Sequence, residues 1–146
     1  MRPFTLVAVE KFVIQGGAPL SGEIVPAGNK NAALPILAAC LLTEEELLVR
    51  NVPRIRDVES MLSLLESLGV RVDWVSDNEL RLQADSIDRQ DVDEEASSRI
   101  RASFLTAGPV LARFGEARMP PPGGDTIGRR RLDAHLDAFR DLGAMV

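Results

Sequence analysis

Sulfur and imidazole are scarce in this chain. Its 146 residues contain one cysteine, Cys40, and one histidine, His135. A single cysteine excludes a disulfide framework within the chain, and with one histidine beside it there is no multi-cysteine or histidine-rich metal centre to build. Cys40 sits in the apolar run Ala38-Ala39-Cys40-Leu41-Leu42, which predicts a buried thiol in a reducing, cytoplasmic setting. Long apolar runs are also missing: the longest, residues 32–42, is about half the length of a bilayer-spanning helix. Residues 3–9 are apolar but carry neither a basic leader of any length nor a small-residue cleavage site, so no secretory signal is read there. Positive charge is in deficit as well. A net charge of -5 argues against a broad nucleic-acid or anionic-membrane surface and leaves a small anionic ligand as the better fit for any local cluster of cations.

Hydrophobic residues make up 45% of the chain, enough for one domain with a true core. Residues 12–14, ahead of Gly16-Gly17, and residues 20–25 read as two opening strands. A helix is expected from about Asn31 through Leu41, with Pro35 in its first turn and apolar residues on nearly every side. Leu47, Leu48 and Val49 form a strand closed by the turn at Asn51-Val52-Pro53. Asp57 is a candidate N-cap for a helix whose residues Val58, Met61, Leu62, Leu65 and Leu68 repeat with helical spacing until Gly69. Residues 70–75 and 79–82 alternate as a hairpin about Asp77-Asn78. The acidic run at 91–95 opens a third helix expected to continue through Ile100, Phe104, Ala107 and Leu111 toward Gly115.

A shift of 74 residues lays the chain on itself. Ala33-Leu34-Pro35-Ile36-Leu37-Ala38 falls on Ala107-Gly108-Pro109-Val110-Leu111-Ala112, Arg56 on Arg130, Leu62 on Leu136, and Leu68-Gly69 on Leu142-Gly143. This predicts two copies of one supersecondary unit: opening strands at 10–27, a first unit at 28–100, and a second at 101–146 that stops before its hairpin. A unit without its last strands leaves an open edge, so further chain or a partner is expected to complete it.

Three places carry candidate chemistry. The stretch Pro120-Pro121-Pro122-Gly123-Gly124-Asp125-Thr126-Ile127-Gly128-Arg129-Arg130-Arg131 sets one carboxyl group on a glycine-rich segment beside three arginines, the composition of a mobile anion-handling loop or of a basic surface turn. Gly28-Asn29-Lys30-Asn31 leads into an apolar helix, where free N–H groups and a lysine can seat a phosphate, or where the lysine is simply solvated. Arg101, beside Arg99, calls for an anionic partner that is either a protein carboxylate or a ligand. His135 falls on Met61 in the repeat and can pack or act chemically.

The ordered motifs Gly28-Asn29-Lys30-Asn31-Ala32-Ala33-Leu34-Pro35, Arg101-Ala102-Ser103, Gly108-Pro109, Leu111-Ala112-Arg113-Phe114-Gly115 and Pro122-Gly123-Gly124-Asp125-Thr126-Ile127-Gly128 resemble the UDP-N-acetylglucosamine 1-carboxyvinyltransferase family of enolpyruvyl transferases. The resemblance implies an α/β fold of repeated strand-helix units, an inside-out α/β barrel of which this chain holds about the first third. It implies transfer of the enolpyruvyl group of phosphoenolpyruvate to the 3-hydroxyl of UDP-N-acetylglucosamine with loss of phosphate, a step of peptidoglycan synthesis, without metal or organic cofactor. By the same resemblance Lys30, Asn31 and Arg130 contact phosphoenolpyruvate; Arg101 and the strip Arg130, Arg131, Leu132, Asp133 and Ala134 contact the UDP-sugar; and Asp125 is the proton donor. Many members have cysteine at the position of Asp125, which implies insensitivity to fosfomycin, a thiolate alkylator. Arg131 stands where proline is frequent. The alternatives are 5-enolpyruvylshikimate-3-phosphate synthase, whose usual phosphate-site segment has serine and arginine where this chain reads Asn31-Ala32-Ala33, and a non-catalytic UDP-sugar-binding remnant. No turnover is expected from residues 1–146 alone.

Overall fold

A computed structural model describes residues 13–87, 91–124 and 131–146. Its core is a three-stranded antiparallel sheet backed by helices. Helix α1, Lys30–Ala39, starts one residue earlier than the periodicity suggests, because Asn29 caps it: its Oδ1 accepts from the amide of Ala32 at 3.1 Å. Pro35 therefore lies in the second turn rather than the first, where its ring removes the N–H that would face the Asn31 carbonyl. Burial is also one-sided. Ala33, Leu34, Leu37 and Ala38 are buried, whereas Ile36 is half exposed.

A short 3₁₀ turn at Cys40–Leu42 leads to strand β1, Leu47–Val49, and then to Asn51, whose φ of 56° reverses the chain beneath the start of α1. Gly28 is the residue that permits this contact. A Cβ there would stand 1.8 Å from the Asn51 carbonyl oxygen, so replacing Gly28 by alanine forces two backbone segments apart. We expect Gly28→Ala to destabilise the protein by at least about 2 kcal/mol, the range of an overpacked interior, read as a lower denaturant midpoint at unchanged slope.

Helix α2, Arg56–Ser67, is capped by Ile55 in extended backbone, so Asp57 is not the N-cap but a residue of the first turn, and its carboxylate goes elsewhere. The predicted stripe is buried as Val58, Met61, Leu62, Leu65 and Leu68, joined by Leu64, and Gly69 ends the helix with φ 100°. Strands β2, Arg71–Ser76, and β3, Glu79–Gln83, form the hairpin, and β1 adds to the far side of β3 to give the order β1-β3-β2. Leu82 pairs with Leu47 and Val72, and Leu80 with Val49 and Trp74, so one face turns these residues onto the core while Leu48, Arg81 and Asp73 face outward.

The third predicted helix is three pieces. Helix α3, Glu94–Ser98, is capped by Asp93; a 3₁₀ segment follows at Arg101–Thr106, and helix α4 at Ala107–Phe114. Ile100, buried with φ -145° and ψ 133°, breaks the first from the second. The interruption buries hydroxyls, which satisfy one another: Ser97 Oγ donates to Ser103 Oγ at 3.0 Å and Thr106 Oγ1 to the Ser103 carbonyl at 2.8 Å. Arg113 of α4 then donates to the Leu41 carbonyl at 3.1 Å, tying α4 to the 3₁₀ turn that follows α1. Helix α5, Asp133–Asp141, ends at Gly143 with φ 95°, as α2 ends at Gly69.

Of the strands expected at 12–14 and 20–25, neither is formed among the described residues, which begin at 13. Val13, Ile14, Leu20, Ile24 and Val25 are all exposed, because no described strand lies beside them to take up their backbone hydrogen bonds.

Cys40 is buried as expected, and burial pushes its thiol from 9.0 up to about 12, with Arg113 pulling weakly the other way. The folded thiol stays protonated where the unfolded one ionises, so its contribution to stability falls as pH rises from 9.0 towards about 12. In the folded protein Cys40 should be inert to a thiol-disulfide reagent and should titrate once guanidinium unfolds the chain; native-state labelling within minutes would contradict the burial.

Candidate functional site

Three helical starts converge on one side of the molecule. Lys30 and Asn31 form the first turn of α1, Asp57 the first turn of α2, and Arg131 and Leu132 lead into α5; Arg101 opens the 3₁₀ segment between α3 and α4. Together they line a cleft of about 570 Å³ whose apolar wall includes Leu34, Phe104, Leu105 and Phe139. Helix starts present unpaired N–H groups and the positive end of the helix dipole, so the backbone of this cleft favours anions as its side chains do.

The charges are arranged in two ways. Lys30 Nζ stands 2.7 Å from Asp57 Oδ2, an ion pair with both side chains about half exposed. Arg131 forks onto Asp133, Nε to Oδ2 at 2.7 Å and Nη2 to Oδ1 at 3.1 Å, and this hydrogen bonding, with that of the Asp133 backbone amide, holds the Asp133 carboxyl below the usual range. His135, exposed on α5, reaches into the same cleft and stacks at a tilt on Phe104, ring centres 5.6 Å apart. A larger groove of about 1140 Å³ lies across Phe104, walled by Leu111, Met119, Leu136 and Met145. Arg101 lines both, whereas Lys30 and Arg131 line only the smaller cleft, so the anion chemistry belongs there.

The loop entering residue 125 is fixed rather than loose at its start. Gly123 N donates to the Ser97 carbonyl and Gly124 N to the Ser98 carbonyl, each at 3.1 Å. A Cβ on Gly123 would stand 1.6 Å from the Ser98 oxygen, and one on Gly124 2.9 Å from the Arg101 nitrogen. These glycines serve close approach, not hinge freedom, and they deliver the chain to the rim of the cleft beside Arg101.

The family profile described as EPSP synthase (3-phosphoshikimate 1-carboxyvinyltransferase) matches residues 14–146. The chain belongs to the EPSP synthase family. Among its relatives, UDP-N-acetylglucosamine 1-carboxyvinyltransferase of Bradyrhizobium diazoefficiens is 54% identical over 93% of this chain and 32% of its own length. The enzymes of the same name from Treponema denticola and Thermotoga maritima are 48% and 44% identical, over 94% and 91% of this chain and 32% and 31% of theirs. The chain thus spans about a third of the length of these relatives. In fold it is similar to the enolpyruvyl transferase NikO from Streptomyces tendae, with a TM-score of 0.60 over 68% of this chain and 23% of that one at 21% identity. No helix among the described residues is long and apolar enough to cross a membrane.

Within this EPSP synthase family member, five residues proposed from sequence meet in the cleft: Lys30, Asn31, Arg101, Arg131 and Leu132. Asp133 faces Arg131 rather than the cleft, and exposed Ala134 is not among the described lining residues. Asp125 and Arg130 lie outside the described residues. Sequence reasoning missed Asp57 as a site residue by taking its helix-start position as a cap. It also missed Phe104 and Phe139, whose spacing is that of ordinary core residues; the pair, 6.5 Å apart, could be found only by seeing the 3₁₀ segment turn Phe104 toward α5.

Proposed function

We propose that the chain forms part of an enzyme that transfers the enolpyruvyl group of phosphoenolpyruvate to the 3-hydroxyl of UDP-N-acetylglucosamine, releasing phosphate, in peptidoglycan synthesis in the cytoplasm. The observation that carries the reading is the convergence of Lys30, Asn31, Arg101 and Arg131, from three separate stretches of chain, on one anion-favouring cleft. Lys30 and Asn31 take the phosphate of phosphoenolpyruvate at the start of α1, joined by Arg130. Arg101 and the strip from Arg130 through Ala134 hold the UDP-sugar, with Arg131 orienting Asp133. Asp125 delivers a proton to the methylene carbon as the loop anchored at Gly123 and Gly124 closes beside Arg101. The reaction needs no metal or organic cofactor in this scheme. Because the chain spans a third of its relatives, the opposite wall of the cleft comes from the remaining two thirds of such an enzyme, in an inside-out barrel of strand-helix units of which 28–100 and 101–146 are two.

The test is phosphate release from phosphoenolpyruvate by the complete enzyme, with UDP-N-acetylglucosamine or shikimate 3-phosphate as acceptor. Release with the first acceptor, and a product heavier by one enolpyruvyl group, is expected. The family profile's own description favours the second acceptor as the rival reading, and turnover with shikimate 3-phosphate alone would establish it. Residues 1–146 by themselves are expected to show no turnover.

A further inference from the structure

In a cleft furnished with Lys30, Arg101 and Arg131, one carboxylate is out of character. Asp57 is the only acidic residue among the described lining residues, and it stands 2.7 Å from Lys30 Nζ. An acid in the first turn of a helix is favoured by the dipole, but Glu59 occupies the same turn of α2 and pairs outward with Arg54 at 3.1 Å. Asp57 instead turns across 27 residues of sequence to the start of α1. It does not cap its own helix, since Ile55 holds that place with no side-chain hydrogen bond.

We propose that Asp57 is the positioning residue for Lys30: its carboxylate fixes the ammonium in the cleft so that the phosphate of phosphoenolpyruvate meets a pre-placed charge. This rests on the reading of Lys30 as a phosphate contact. An ammonium has three N–H donors, so one bond to Asp57 leaves two for phosphate oxygens, and holding is compatible with binding. A lysine side chain otherwise spreads over many rotamers, and aiming it costs entropy when ligand arrives. A carboxylate also repels the incoming phosphate through space, so it weakens ground-state binding while it keeps the cation where charge builds on the departing phosphate. The two effects oppose one another in KM but not in kcat. A pair that served only to tie α1 to α2 would alter stability and leave that division untouched.

The experiment is a kinetic cycle on the complete enzyme with Asp57→Asn, Lys30→Gln and the double variant, following phosphate release, with the thermal midpoint of each recorded. Asp57→Asn should lower kcat by about tenfold or more while the KM for phosphoenolpyruvate stays level or falls. In the Lys30→Gln background the same change should move kcat by less than about twofold, because the group through which it acts is gone. Unchanged kcat in Asp57→Asn, a raised KM with kcat retained, or an equal loss in both backgrounds overturns the proposal. If Asp57→Asn does not fold, Asp57→Glu carries the test, since it keeps the charge but displaces it: lowered kcat at level KM is expected, and wild-type kcat overturns the inference. A wild-type enzyme that releases no phosphate with either acceptor overturns the reading of the site itself, a result distinct from an active enzyme indifferent to Asp57.

Discussion

Replacing Lys30 by alanine in the complete enzyme will lower kcat/KM for phosphoenolpyruvate by about a thousandfold while leaving the fold in place. A full charge about 4 Å from a phosphate is worth roughly 4 kcal/mol at an effective dielectric near 20, and that figure corresponds to about three decades of rate if it is realised in the transition state. The fold is spared because Lys30 is half exposed and its ion pair with Asp57 is of the surface kind that contributes little to stability. Asn29, not Lys30, supplies the side-chain cap, so α1 still starts where it does. Lys30→Arg keeps the charge but exchanges a compact ammonium for a planar fork, and it should recover only part of the loss. Saturation kinetics in phosphoenolpyruvate at fixed UDP-N-acetylglucosamine provide the measurement. A loss under about tenfold for Lys30→Ala would show that the phosphate is held elsewhere.

How far these residues could be read from sequence depends on whether local or distant contacts determine them. Helix α2 and the hairpin β2–β3 were legible because apolar spacing, Gly69 and Asp77-Asn78 specify them within a dozen residues, and the structure pairs Trp74 with Leu80 and Val72 with Leu82 as that alternation requires. The break at Ile100 was not. Residues 91–114 keep a helical spacing of apolar residues, yet burying Ile100 in the core outweighs continuing the helix, and that contact is tertiary; the hydroxyl pair Ser97–Ser103 closes the break locally. The opening strands failed for the converse reason: alternation at 20–25 gives a strand only if another strand lies beside it. At the site, Lys30, Asn31, Arg101 and Arg131 could be singled out because motifs announce them, and all four line one cleft. Asp57 and Phe139 carry no such announcement. Only the folding of α2 and α5 onto α1 and the 3₁₀ segment brings them to the cleft.

The other large effect concerns Asp125. Asp125→Asn should abolish turnover to within about a thousandth of wild type, the usual weight of a positioned proton donor, whereas Asp125→Cys should stay active. The wild-type enzyme should be insensitive to fosfomycin, because a carboxylate is a far poorer nucleophile than a thiolate, and Asp125→Cys should become sensitive. An ordinary aspartate is ionised well below neutrality, and holding its proton near pH 7 costs roughly 4 kcal/mol. Desolvation can supply that, but three neighbouring arginines, Arg129 to Arg131, act in the opposite direction. The Arg131 guanidinium is already paired with Asp133, which removes part of that opposition. The remainder is left to desolvation by bound substrate. A donor works only while protonated, so wild-type kcat should decline as rising pH strips the proton from Asp125. The decline should move to higher pH in Asp125→Cys, whose thiol ordinarily titrates near 8.5. Identical pH profiles for the two enzymes, or time-dependent inactivation of wild type with a fosfomycin adduct on Asp125 in the mass spectrum, would remove Asp125 from the role of acid.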